Sequence, residues 1–478
     1  MKTRMRHPWT RAALAPVALA GALAMLPAAW AQQDADPATP VRTFADSVGI
    51  TSAHLTVEHW LSRNRQDNRV ILDRAGIAAH NRAMREVEPS LHDIENLPAM
   101  LEAAQVSAWI EGISREPART LYDETGKEGS ARAIAQLVSA LNLRRVPPSQ
   151  VTRYGMVVRR ADMRTFPTHL RVFHSPGDRD IDRFQETALF PGTPVAVVHE
   201  SRDRRWLFVL SETYAAWIEK DAVAFGSKDE IFAYTRKAPY LVVTGAVERT
   251  VYTPEKPQLS QLQLEMGARL PLLADWPADA PVNGQHPLFG HVVELPVRDA
   301  DGTLSFSPAL IPRSADVSED YLPLTRANLV RQAFKFLGER YGWGHSYNAR
   351  DCSGFVSEVY RSFGIVIPRN TSRQSVTAGM DRIALSDQDG HEKRLQLLKD
   401  TQTGDLVFIP GHVMMVLGHD KGETWVIHDT NGMSWMRDDR SLGRAPLNGV
   451  VVTPMTPMMS GPTVATIDRI TNIQRIRR

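Results

Sequence analysis

Cys352 is the only cysteine of the chain, and it opens the run Cys352-Ser353-Gly354-Phe355-Val356. The apolar positions Phe355, Val356, Val359, Tyr360 and Phe363 then recur at helical period until Gly364 and Pro368 end the pattern. The thiol is therefore expected at a helix amino terminus, where free backbone N–H groups and the positive end of the dipole favour a thiolate. A lone thiol can also be a small buried hydrophobe, but a structural cysteine gains nothing from that placement. Proton traffic requires an imidazole, and His412 begins a strand, His412-Val413-Met414-Met415-Val416-Leu417, with His412, Met414 and Val416 on one face. His428 follows Trp425-Val426-Ile427, where a polar side chain could orient the first ring. Among 15 histidines, spacing alone leaves this Cys352/His412/His428 constellation open. No His-Glu-x-x-His zinc signature occurs, and thiol chemistry of this kind needs no metal and no other cofactor.

The elements that would position these side chains are mixed helix and strand. Thr325 is placed to cap a helix with Leu329, Val330, Ala333, Phe336 and Leu337 on one face, ending near Arg340. Strands are expected at Leu406–Ile409, Val413–Leu417, Trp425–Ile427 and Val450–Val452. Upstream, residues 53–143 read as amphipathic helix, with Ile134, Leu137 and Leu141 on one face. From 147 the texture becomes short β runs, Met156–Val158, Leu170–Phe173, Val195–Val198 and Trp206–Leu210. A second such stretch, 238–313, carries Leu241–Val243, the turn Asp299-Ala300-Asp301-Gly302 and Leu304–Phe306, so two small β-barrels in tandem are expected.

Tyr341-Gly342-Trp343-Gly344, Asp351-Cys352-Ser353-Gly354, Gly404-Asp405-Leu406-Val407, Gly411-His412-Val413 and Ile427-His428 resemble, in order and spacing, the NlpC/P60 family of circularly rearranged papain-like peptidases. Tyr214-Ala215-Ala216-Trp217-Ile218 resembles the end of a bacterial SH3 domain. The resemblance implies a multidomain α+β chain: a helical clip region 32–146, SH3-like domains 147–230 and 231–313, a papain-like cysteine peptidase domain 314–456, and a tail 457–478 with no assignment. It also implies a Cys352/His412/His428 triad acting on the γ-D-Glu to diamino acid bond of murein peptides with a free amino-terminal L-Ala. In that picture Asp351 binds the substrate ammonium and Tyr214 closes the pocket, while Tyr341, Trp343, Ser353 and Ser372 hold the D-Glu. His419 falls where the family has a turn and is expected to face solvent. His345 stands where the family commonly has Gly, and is expected to narrow the cleft or touch substrate. The runners-up are an endopeptidase or amidase acting on intact wall, and a non-catalytic wall-binding protein.

Composition agrees with an ordinary globular protein, at 43% hydrophobic and 23% charged residues. Lys2, Arg4, Arg6 and Arg11 precede an Ala/Leu-rich run ending at Ala29-Trp30-Ala31, read as an export signal over 1–31, with a mobile lead-in from 32 to about 50. Removing the signal's four basic residues shifts the formal charge from +2 to −2. A near-neutral chain without Lys/Arg blocks offers no footprint for nucleic acid, and no second apolar run of spanning length follows, so stable membrane insertion is not expected. The expected partner is peptidoglycan or its peptides, met in the periplasm.

Overall fold

The computed structural model describes residues 43–63 and 68–477. The expected export signal lies outside them, as does most of the lead-in. The lead-in ends earlier than expected. Thr43 caps a helix, Phe44–Val48, whose Val48 is buried and whose Phe44 ring lies 4.9 Å from that of Trp435. Among the described residues no helix is long and apolar enough to cross a membrane.

The carboxy-terminal unit is built on a six-stranded sheet ordered 381–384, 472–475, 406–409, 412–420, 423–430 and 449–454, with every neighbouring pair antiparallel. Alternation decides its faces. Val413, Met415, Leu417, Trp425, Ile427, Val450 and Val452 pack on the helix Cys352–Arg361, whereas Met414, Val416 and Val426 face a second cluster with Met433, Trp435 and Ile473. The unassigned tail is no appendage, because Asn472–Arg475 is an interior strand of this sheet. Thr325 does cap the first helix of the unit, its hydroxyl accepting from Asn328 N at 3.1 Å. That helix stops at Phe334 rather than near Arg340, and the turns beyond it reach Gly338, which takes φ +84°.

The helical amino-terminal region divides its apolar faces between two neighbours. Trp60, Leu72, Ile77, Met84 and Leu91 share a core with the Cys352 helix. Ile94, Leu101, Val106, Ile110 and Leu141 pack instead on the first β unit, with Leu137 beside them. That unit is a seven-stranded antiparallel ladder of 153–157, 161–164, 185–189, 194–200, 206–210, 215–219 and 223–226, filled by Phe208, Trp217 and Phe166. Leu170–Phe173 is not a strand: the Arg164 guanidinium takes the carbonyls of Thr168 and Leu170, and Phe173 makes only an isolated bridge to Tyr122.

A helix, Lys228–Arg236, spans the expected boundary at 230. The second β unit has its own core of Leu241, Val243, Leu264, Leu270, Val293, Leu295 and Ile311. Its strands form separate ladders of three, two and two rather than the continuous ladder of a second barrel. The turn at Asp299–Gly302 joins its long hairpin as expected, with Gly302 at φ +94°. Val317–Ser318 still pairs with Val242–Val243, so this unit extends past 313.

Candidate active site

Asp351 caps the Cys352 helix, its Oδ1 accepting from Gly354 N at 2.8 Å. Cys352 is buried, with Sγ 3.6 Å from Thr371 Oγ1. Burial pushes the thiol up to about 12, aided by the nearby Asp351 carboxylate and opposed by Thr371 and the Val413 backbone. His412, half-buried at the start of its strand, is held down to about 4 by burial. Desolvation thus opposes the thiolate that the helix amino terminus favours.

His412 Nε2 lies 2.8 Å from His428 Nδ1, and His428 Nε2 lies 2.9 Å from Thr453 Oγ1. One proton arrangement lets His412 Nδ1 accept from a thiol. In it His412 Nε2–H donates to His428 Nδ1, and His428 Nε2–H donates to the Thr453 hydroxyl. Burial and the neighbouring His412 hold His428 far below its ordinary range, so the second ring stays neutral. Thr453, fully buried on the strand 449–454, completes the chain without a sequence motif that could have announced it. His419 is half-buried and bonded rather than free in solvent. Its Nε2 lies 2.9 Å from the Thr401 carbonyl and its Nδ1 3.3 Å from Thr424 Oγ1, apart from the two rings above.

Asp351 is a different group from the one expected. Its carboxylate accepts from Gly344 N and Gly354 N, from Ser353 Oγ, and from both terminal nitrogens of Arg369 at 3.0 and 2.9 Å. It is therefore saturated by a bidentate guanidinium, which with these donors holds it well below the usual carboxylate range despite burial. Ser353 belongs to the same cluster, its hydroxyl accepting from Arg369 at 2.8 Å. Arg369 carries no role in the sequence reading, although it directly follows Pro368, where the helical pattern ends. His345 neither narrows the cleft nor lines it. It is 4% exposed, with Nδ1 3.0 Å from Arg369 Nη2 and Nε2 2.9 Å from Glu358 Oε1. Arginine only donates, so Nδ1 carries the lone pair and Nε2–H faces Glu358. Burial and Arg369 bring this imidazole down to about 4.

The first β unit supplies the other wall. The Trp343 indole donates to the Gln185 carbonyl at 3.1 Å. The Tyr214 hydroxyl donates to Glu186 and receives Asn370 Nδ2 at 3.5 Å, which brings it to the loop that holds Arg369. Among the described residues Glu186 accepts only from the Tyr214 and Thr165 hydroxyls, and burial raises its carboxyl. Alternation along its strand hid it from sequence reasoning. Tyr341 is buried near Cys352, and Ser372 is exposed on the short helix Thr371–Val376. A cavity of about 710 Å³ behind the Cys352 helix, reached by Gly354, His345 and Arg369, is lined by neither Cys352 nor His412.

Residues 338–441 match the NlpC/P60 family and residues 171–219 match the SH3 domain of SH3b1 type. A γ-D-glutamyl-L-lysine dipeptidyl-peptidase of Bacillus cereus is 29% identical over 55% of this chain and 71% of its own length. A dipeptidyl-peptidase 6 of Lysinibacillus sphaericus is 32% identical over 22% of this chain and 33% of its own length. A solved NlpC/P60 endopeptidase from Photobacterium damselae subsp. piscicida shares the fold, with TM-score 0.69 and 19% identity over 87% of this chain and 96% of that one.

Proposed function

From the premise that this chain carries an SH3 domain and an NlpC/P60 domain and is homologous to a γ-D-glutamyl-L-lysine dipeptidyl-peptidase, we propose that it is an exported cysteine peptidase. Its substrates are murein peptides with a free amino terminus, cut between γ-D-Glu and the diamino acid. The His412–His428–Thr453 line supports this reading, because it fixes His412 Nε2 and leaves its Nδ1 lone pair free to take a proton, while Cys352 begins a helix in the same domain.

The thiol gives its proton to His412 Nδ1 as Cys352 Sγ attacks the γ-carbonyl. Backbone N–H groups at the helix start face the developing oxyanion. His412 then passes the proton to the leaving diamino acid nitrogen, and water releases the acyl group by the reverse sequence. The free amine needs a carboxylate with capacity to spare, and Asp351 is filled by Arg369. Glu186, bonded to hydroxyls alone and paired with Tyr214, supports the assignment of the ammonium to that corner, with Asp351 adding field rather than direct contact.

Digestion of L-Ala-γ-D-Glu-L-Lys and its diaminopimelate counterpart, with products identified by mass, tests the reading. L-Ala-D-Glu and the free diamino acid are expected. Cys352→Ala and His412→Ala should each lower turnover by at least about a thousandfold with an unchanged circular dichroism spectrum. Activity surviving in Cys352→Ala would overturn the mechanism.

A further inference from the structure

Arg183 ends the long connection between the strands Ala161–Arg164 and Gln185–Leu189 of the first β unit, with its guanidinium carbon 5.4 Å from the centre of the Trp343 ring. Its surroundings are those of an unused charge. Nε is buried with no hydrogen-bond partner, and among the described residues no carboxylate lies within ion-pair distance of the guanidinium. Arg164, Arg171 and Arg340 are compensated by Asp182, Glu124 and Asp180, whereas Arg119, which repels Arg183, brings no acid to it. Asp178 attracts Arg183 only from a distance, and its Oδ1 is engaged by the N–H of Asp180. The Tyr341 phenol interacts electrostatically with both Arg183 and Cys352, so this cation lies on the Tyr341 side of the site.

A guanidinium half-withdrawn from water without an acid is costly, and the group that relieves it must be an anion brought by the ligand. A γ-linked glutamyl residue has such a group. Its α-carboxylate stays free beside the scissile γ-carbonyl, whereas the same carboxyl in an α-linked residue is consumed in the peptide bond. We propose that Arg183 binds the free α-carboxylate of the γ-linked glutamyl residue, so that the first β unit reads the linkage at the bond being cut. The proposal rests on the functional reading above and adds to it the group that selects γ over α linkage. The guanidinium beside the Trp343 ring is a planar fork of the kind that suits bidentate carboxylate recognition.

The test compares L-Ala-γ-D-Glu-L-Lys with the same peptide bearing an α-carboxamide in place of the α-carboxylate, both cleavable at the same bond. Wild type should favour the carboxylate in kcat/KM by about tenfold to a hundredfold, the worth of a charged hydrogen-bonded pair. Arg183→Met should bring the two values close together, mainly through KM for the carboxylate peptide, and Arg183→Lys should restore part of the preference. Equal rates in wild type, which need no variant to fold, overturn the inference, as does a preference undiminished in Arg183→Met. A wild type that cuts neither peptide overturns the functional reading and this inference together.

Discussion

Asp429 shows what a single side chain can cost. It follows His428 on the same strand, is 0% exposed, and neither carboxyl oxygen has a hydrogen-bond partner among the described residues. Burial, then the Asp351 and Glu339 carboxylates, push it up to about 9, so it is neutral at physiological pH. Between the ordinary carboxylate range and about 9 the unfolded chain has lost this proton while the folded one keeps it. Stability therefore falls as pH rises through that window. Asp429→Asn, an isostere that is always neutral, should raise Tm at pH 8 and lose that advantage as the pH approaches 4. A thermal scan at both pH values decides it: an advantage that is equal at both, or absent at pH 8, contradicts a neutral Asp429.

At the scale of elements, the Cys352 helix is held from below by a residue that replaces empty space. A Cβ at Gly354 would stand 2.7 Å from His345 Cε1 and 3.2 Å from Asp351 Oδ1. Gly354→Ala should therefore cost on the order of 1–3 kcal/mol and disturb the cap, and much of that loss should return in Gly354→Ala/His345→Ala. Chemical denaturation of the two single variants and the double variant gives the coupling; strict additivity would mean that the ring and the helix do not share this space. This contact also marks the limit of sequence reading. The periodicity after Cys352 and the alternation around His412 and His428 were legible because each is local to one element. His345, Arg369 and Glu358 meet only in three dimensions: Gly344 and His345 take φ +55° and +65°, which turns the imidazole inward, and no one-dimensional pattern encodes that turn. The same reason hid Arg183, whose contact with Trp343 spans more than a hundred positions in sequence. The ladders of the second β unit were not legible, because short β runs specify strands without specifying their pairing.

Across the whole molecule, the amino-terminal arm is part of the carboxy-terminal core. Trp60 is 0% exposed and its indole donates to the His54 carbonyl at 2.9 Å, while the His54 ring stacks 3.9 Å from that of Trp425. His54 Nδ1 accepts from Thr51 N, so its Nε2–H donates to Asp420 at 3.0 Å, and Arg63 lies 2.9 Å from the same carboxylate. That tautomer makes His54, His59 and Asp420 a clamp rather than a metal-binding triad, since the nitrogen facing Asp420 has no lone pair to give. Trp60→Ala should lower stability by roughly 3–5 kcal/mol and should destabilise the sheet bearing His412 together with the arm. Hydrogen exchange across 412–430 reads this directly; protection unchanged there would show that the arm is a passive wrapping. The interior place of Asn472–Arg475 has a temporal meaning as well. The strand Leu406–Ile409 pairs with it on one side and with the His412 strand on the other. A chain still being synthesised, or cut short before 472, must leave that strand with an open edge. Val48 of the amino-terminal arm and Ile473 of that strand lie in one apolar cluster, so the sheet that bears His412 has its full core only when both segments are in place.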